Sequence, residues 1–288
     1  LGFCGPKVAA SLVVLAVLAL APAAAASRDA GLAALQVALH ARGLYAGSID
    51  GLGGPRTTGA IRRFQRRVGI TPDGIPGVRT RKALGRYGRH VLGSRLLTRG
   101  ETGWDVAALQ FLLAWHGFPS STIDGGLGVH TERALRRFQR WAGFEPDGVA
   151  GARTIAALRR PPERCPIELA WPVTGRLSGP FGPRGNRFHG GIDLAAPSGA
   201  PVAAAAAGRV VFAARAGGGW GKLVVVAHGS GVRTLYAHLK ATRVRLGERV
   251  RTGSLLGFVG ATGNATGSHL HFEVRLRGAA VDPRSGLP

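Results

Sequence analysis

The sequence predicts a multidomain chain: two small three-helix all-α modules followed by a mainly antiparallel β domain. Three observations predict it. Ala33–Leu84 aligns with Ala107–Leu158 without a gap, and 26 of the 52 positions are identical, so a module is duplicated. Apolar residues in each copy recur at helical spacing. From Trp171 onward that spacing disappears, and short runs of Val, Phe and Thr alternate with glycine clusters, as strands and turns do.

The chain has 288 residues, 45% of them apolar, which excludes disorder and leaves room for two or three domains. Two cysteines, Cys4 and Cys165, exclude a disulfide framework and a four-cysteine zinc site. Thirty-eight Lys and Arg against 15 Asp and Glu give a net charge of +23. Such a chain seeks polyanions: nucleic acid, anionic lipid or a charged extracellular polymer. No aromatic platform or recognition motif for nucleic acid is visible, and a charged extracellular polymer explains the charge as simply.

Lys7, the apolar run Val8–Ala21, Pro22 and an alanine tract have the layout of a secretory signal over residues 1–26. Read instead as an uncleaved anchor, Val8–Ala26 is near the lower limit of about 17–25 residues for a span. Both readings put the remainder outside the cytoplasm, with a membrane as partner only if the segment is retained. Cleavage leaves Cys165 unpaired, an incidental linker residue or a thiol able to pair between molecules.

The two copies fall at 28–86 and 103–160. In each, leucines such as Leu32, Leu35 and Leu39 mark one face of a first helix, and Gly43 or Gly117 ends it. Thr57 or Thr131 is placed to cap a second helix. There Ala60, Ile61, Phe64 and Val68 form an apolar stripe, and Arg62, Arg63, Arg66 and Arg67 face away from it. Those arginines suit an anionic glycan or simply a solvated face. A turn at Asp73-Gly74 precedes a short third helix through Thr80, Ala83 and Leu84. Three short helices bury little surface, so each copy alone is expected to be only modestly stable. The repeated Leu-Gln, Ile-Asp-Gly, Arg-x-Phe-Gln and Asp-Gly-x-x-Gly-x-x-Thr resemble the peptidoglycan-binding domain type 1 family, which implies binding to the cell wall.

Arg159–Ala170 leads onward through Arg-Arg-Pro-Pro-Glu-Arg-Cys-Pro, and 161–170 read as a semi-stiff proline-rich linker that would let a repeat reach the following domain and hold it latent. Within 171–288, strands are expected at Arg209–Ala214, Leu223–Ala227, Arg233–Leu239, Leu255–Val259 and His269–Leu276, with a hairpin turn at His228-Gly-Ser-Gly.

Five of the nine histidines lie in this last domain. His189-Gly-Gly-Ile-Asp193 sets an imidazole and a carboxylate four residues apart. His269-Leu-His271 sits in a strand, where alternate side chains share a face, and Glu273 follows on that face. His238 lies on another strand. Imidazole and carboxylate suit zinc, which as a catalytic ion lowers the pKa of water towards about 7 and polarises a carbonyl. A His-Glu-x-x-His motif is absent, and Gly217–Lys222 is only superficially a phosphate loop, with Ala216 and Leu223 at required positions.

Phe181-Gly-x-Arg184, Phe188-His189-Gly-Gly-Ile-Asp193, Thr234-Leu-Tyr-Ala-His238-Leu239 and Gly263-Asn-x-Thr-Gly-x-His269-Leu-His271-Phe-Glu273 occur in order. Together they resemble the LytM/lysostaphin-type metallopeptidases, peptidase family M23. The resemblance implies a metallopeptidase domain in which His189, Asp193 and His271 hold Zn2+ and His238 and His269 are catalytic. It implies cleavage of peptide stems or cross-bridges in peptidoglycan, with anionic wall polymers as further partners. Some relatives in that family lack ligands and only activate other hydrolases; all five residues are present here. His228, off the motif, is expected to be structural.

Overall fold

The computed structural model describes residues 28–288; residues 1–26, read from the sequence as a secretory signal, and Cys4 lie outside the described residues. The N-terminal half is helical, with α1 (Ala30–His40), α2 (Pro55–Arg67) and α3 (Val78–Ala83) in the first copy and α4 (Trp104–Trp115), α5 (Val129–Trp141) and α6 (Ala152–Leu158) in the second. The Asp29 side chain caps α1 by accepting from the Leu32 amide at 2.7 Å. Thr57 and Thr131 are not caps. They lie inside α2 and α5, whose N-caps are Gly54 and Gly128, and their buried hydroxyls turn inward instead.

The repeated motif has a structural reason. In the first copy the buried Gln36 amide donates to Asp50 Oδ1 at 2.7 Å and accepts from the Gly51 amide at 2.9 Å. Gln110 does the same with Asp124 and Gly125 in the second. Gln65 and Gln139 grip the later Asp-Gly turns, at Asp73-Gly74 and Asp147-Gly148, in the same way. One side-chain amide thus satisfies both the carboxylate and the main chain of a tight turn. The copies do not stand alone either. Helices α1 and α4 pack together, and Leu35, Leu39 and Phe64 share one core with Ala107, Phe111 and Ile123. Pooling the apolar faces answers the small burial of a single three-helix unit.

The C-terminal half is built from thirteen strands: β1 (Arg176–Gly179), β2 (Gly182–Arg184), β3 (Arg187–His189), β4 (Ile192–Ala195), β5 (Pro201–Ala203), β6 (Gly208–Ala216), β7 (Gly221–Ala227), β8 (Val232–Leu239), β9 (Ala241–Thr242), β10 (Arg249–Val250), β11 (Leu255–Phe258), β12 (His269–Leu276) and β13 (Ala279–Val281). The main antiparallel sheet runs β1-β4-β12-β8-β7-β6-β10, with β13 also on β12; β5-β11-β9 make a smaller sheet and β2-β3 a hairpin. Ile192, Leu194, Tyr236, Leu270 and Phe272 fill the core between layers. Cys165 is buried against this core, with its amide donating to Ser285 Oγ at 2.8 Å, so its thiol is packed rather than presented.

Candidate metal centre

Strand alternation brings the first residues together. On β12, Leu270 and Phe272 point into the core, which turns His269 and His271 to the opposite face. His271 lies directly across the ladder from Asp193 on β4, and its Nδ1 stands 2.8 Å from Asp193 Oδ1. His189, at the end of β3, brings Nε2 to 3.0 Å from both that oxygen and His271 Nδ1. Gly191 makes the turn into β4 possible. A Cβ there would stand 2.4 Å from the Phe272 carbonyl oxygen, so only glycine lets β4 lie this close to β12.

His238 arrives by a different route. Lys222 pairs with Leu239 and Val224 with Tyr236, so β8 carries one more residue than β7 between those pairs, a β-bulge. His238 takes the left-handed backbone there, at φ 61°. Tyr236 and Leu239 both stay in the core, while the His238 ring joins the histidine face, 4.9 Å from the ring of His269 and 5.8 Å from that of His271.

Each of the four rings has one nitrogen tied down. Nδ1 faces a carbonyl oxygen at 2.8 Å in three of them: Pro180 for His189, Thr262 for His238 and Gly267 for His269. A carbonyl only accepts, so each of these Nδ1 atoms carries the hydrogen and each Nε2 the lone pair. In His271 the assignment is reversed: Nε2 donates to Glu273 Oε1 at 3.2 Å, which frees Nδ1. Glu273 is itself held by Arg275 at 2.9 Å. The Arg184 guanidinium donates to Asp193 Oδ2 at 2.8 Å, which leaves Oδ1 for the cluster.

The electrostatics favour a cation. Burial opposes a charge on Asp193, but hydrogen bonds from His189, His271 and Arg184 outweigh it and hold the carboxyl well below the usual carboxylate range. Burial likewise opposes charge on His271, yet Asp193 and Glu273 push its imidazole up to about 9. A divalent ion competes with that proton for Nδ1. The donor set fits zinc: two neutral imidazoles and one carboxylate, their atoms 2.8–3.0 Å apart. Tetrahedral zinc with bonds of about 2.0–2.1 Å separates neighbouring donors by roughly 3.3 Å, a small expansion of this triangle. His238 has a lowered pKa, chiefly through burial, which favours its neutral form.

All five residues named from the sequence lie in one cluster. His189, Asp193 and His271 form its donor triangle, and His269 Nε2 is 3.8 Å from Asp193 Oδ1. His228 lies elsewhere, bonding Ala207 and Thr234. Sequence reasoning gave no role to Glu273, Arg184 or Trp220. Trp220 borders the site with its ring 5.5 Å from that of His271, and its carbonyl accepts from the His238 amide at 3.0 Å. Both charged residues belong to motifs already quoted. Trp220 sits in the glycine-rich run set aside as a false phosphate loop, and nothing in that run signalled its position.

Comparisons with known proteins follow this division of the chain. The model of peptidase family M23 matches residues 187–283, and that of the family described as "Putative peptidoglycan binding domain" matches 28–84 and 102–158. The DD-carboxypeptidase/endopeptidase Mpg of Neisseria meningitidis serogroup B is 49% identical over 119 residues, covering 39% of this chain and 27% of that protein. The murein hydrolase activator NlpD of Salmonella dublin is 37% identical over 120 residues, 41% of this chain and 31% of that one. A zinc-containing peptidase from Vibrio cholerae of known structure is 35% identical, covers 41% of this chain and 40% of its own, and superposes with a TM-score of 0.38. The chain spans about a quarter of the length of the first curated relatives it matches.

Proposed function

Because residues 187–283 belong to peptidase family M23 and two peptidoglycan-binding modules precede them, we infer that this chain is a secreted zinc endopeptidase that cuts peptide stems or cross-bridges of peptidoglycan. The observation that carries the reading is the convergence of His189, Asp193 and His271 within one triangle, flanked by two further imidazoles whose Nε2 lone pairs are fixed.

His189 Nε2, Asp193 Oδ1 and His271 Nδ1 would hold the zinc. Bound there, zinc supplies Lewis acidity towards a peptide carbonyl and acidifies water. The protein's own groups do the rest. One of His238 and His269 would take up the proton of the attacking water at Nε2, donate it as a hydrogen bond to the oxyanion as that develops, and pass it to the leaving amine. Glu273 and the Pro180 carbonyl keep the two ligand imidazoles in the tautomers that present a lone pair. The two modules hold the enzyme on its polymer and raise the local substrate concentration.

The test is incubation of the zinc-loaded chain with sacculi of defined cross-link chemistry, with fragments read by mass spectrometry. New amino groups from one cross-link type are expected, and about 100-fold fewer, or fewer still, with His269→Ala. The relative named as a murein hydrolase activator supports a second reading, a non-catalytic wall-bound activator. Under it the chain releases nothing from any sacculus, and His269→Ala changes nothing.

A further inference from the structure

The binding modules touch the C-terminal domain at β13, where Ala279 joins the core of the second repeat and the Ala280 amide donates to the Gly117 oxygen at 3.4 Å, and at the β2–β3 hairpin. Arg184 and Arg187 are its last paired residues, and Gly185-Asn186 is its turn, with Gly185 left-handed at φ 60° as the first position of such a turn demands. The two carbonyls of that turn are taken by equivalent residues of the two repeats. The Ile49 amide donates to the Gly185 oxygen at 2.9 Å, and the Ile123 amide donates to the Asn186 oxygen at 2.8 Å. The Gly185 amide in turn donates to Ser48 Oγ at 3.2 Å. Ile49 and Ile123 open the two Ile-Asp-Gly loops that Gln36 and Gln110 stiffen from behind.

Trp115, at the end of α4, adds an apolar contact on the hairpin's flank. Its ring is 5.1 Å from that of Phe188 and 6.0 Å from that of Phe181, both edge to face. Phe181 immediately precedes Gly182, and Phe188 immediately precedes His189. The equivalent residue of the first repeat is Ala41, so the helical module does not itself require a tryptophan at this place.

We propose that the two Ile-Asp-Gly loops and Trp115 form a clasp that sets the β2–β3 hairpin, making Trp115 a positioning residue for His189 and Arg184. The proposal rests on the reading of His189, Asp193 and His271 as a zinc site. His189 occupies the last position of the hairpin, paired with Gly182, and Arg184 reaches from it to Asp193. Both strands have only three residues, and a two-stranded ribbon this short does not hold its shape in water unaided. The clasp supplies the missing support. The modules therefore act on the metal centre as well as on the wall.

The experiment compares the full chain with Trp115→Ala, Trp115→Phe and Ser48→Trp, the last wedging bulk between the first loop and the hairpin turn. Zinc affinity is read by chelator competition and amide hydrogen exchange over residues 182–189 by mass spectrometry; neither needs a substrate. Trp115→Ala and Ser48→Trp are expected to weaken zinc binding about tenfold and to speed exchange across the hairpin, with Trp115→Phe close to the parent. If Trp115→Ala does not fold, Ser48→Trp decides alone. Folded variants with affinity and exchange within about twofold of the parent overturn the clasp. So does faster wall cleavage by these variants at unchanged zinc affinity, which would mark the modules as restraining the enzyme. A parent chain that binds zinc yet cuts no wall peptide defeats the hydrolase reading and leaves the clasp standing.

Discussion

The ring of His238 stands 4.9 Å from that of His269 because residue 238 adopts a left-handed backbone in a β-bulge. Regular alternation along β8 would send His238 into the core beside Tyr236. A non-glycine residue in this region costs about 1 kcal/mol or more, and such cost is retained where the side chain has work to do. Replacing either histidine with alanine is expected to lower wall-peptide cleavage about 100- to 10,000-fold while zinc stays stoichiometric by elemental analysis. Loss of zinc together with activity in either variant would move that histidine from proton transfer to metal binding.

Glu273 offers a separate prediction about the metal. Its carboxylate accepts from His271 Nε2 and is held by Arg275, so it fixes which nitrogen of His271 is free. Glu273→Gln keeps the size of the side chain but can turn an amide N–H towards that nitrogen. Zinc affinity is expected to fall about 10- to 100-fold, with a far-ultraviolet circular dichroism spectrum like the parent's. Unchanged affinity would reduce Glu273 to a packing role.

Much of this was legible in the sequence, for physical reasons. The strand Arg233–Leu239 is found at Val232–Leu239, and His269–Leu276 is found as written, because in an eight-residue run such as β12 core side chains at every second position, Leu270, Phe272, Val274 and Leu276, leave a period of two. The face shared by His269 and His271 follows from the same period. Strands β2, β3 and β5 were not legible: three residues carry too little pattern to be seen. The bulge at His238 was hidden because its extra residue shows only against the register of β7. Thr57 and Thr131 misled because a threonine near a helix start looks like a cap, whereas glycine holds that position and the hydroxyl joins the glutamine network.

That network supports a stability prediction. Gln110 Nε2 donates to Asp124, Gly126 and Thr131, and its Oε1 accepts from the amides of Asp124 and Gly125. Gln110→Leu removes all of these and leaves buried main-chain groups unpaired. The expected loss is about 2–4 kcal/mol, read as a lower urea midpoint at unchanged slope. Gln36→Leu should behave alike in the first repeat. A loss below about 0.5 kcal/mol in both would mean that water replaces the amide at no cost, and that the repeated Leu-Gln has another reason.

His116 makes the same half of the molecule sensitive to acid. Its imidazole is 7% exposed, Nε2 faces the Leu158 carbonyl at 3.0 Å, and Phe138 packs on its ring. Burial lowers its pKa from the ordinary value of 6.5. The sign follows from proton counting. Above pH 6.5 the imidazole is neutral both folded and unfolded, so it adds no dependence on pH. Below 6.5 the unfolded chain takes up the proton first, and stability falls with pH until the folded pKa is passed. His228, also lowered by burial, contributes with the same sign from the β domain. Urea unfolding followed between pH 7.5 and 5 should therefore show a decline starting near 6.5, and His116→Gln should flatten it for the helical half. An equal slope in the parent and His116→Gln would show that His116 finds a partner for its charge when the helices stay folded.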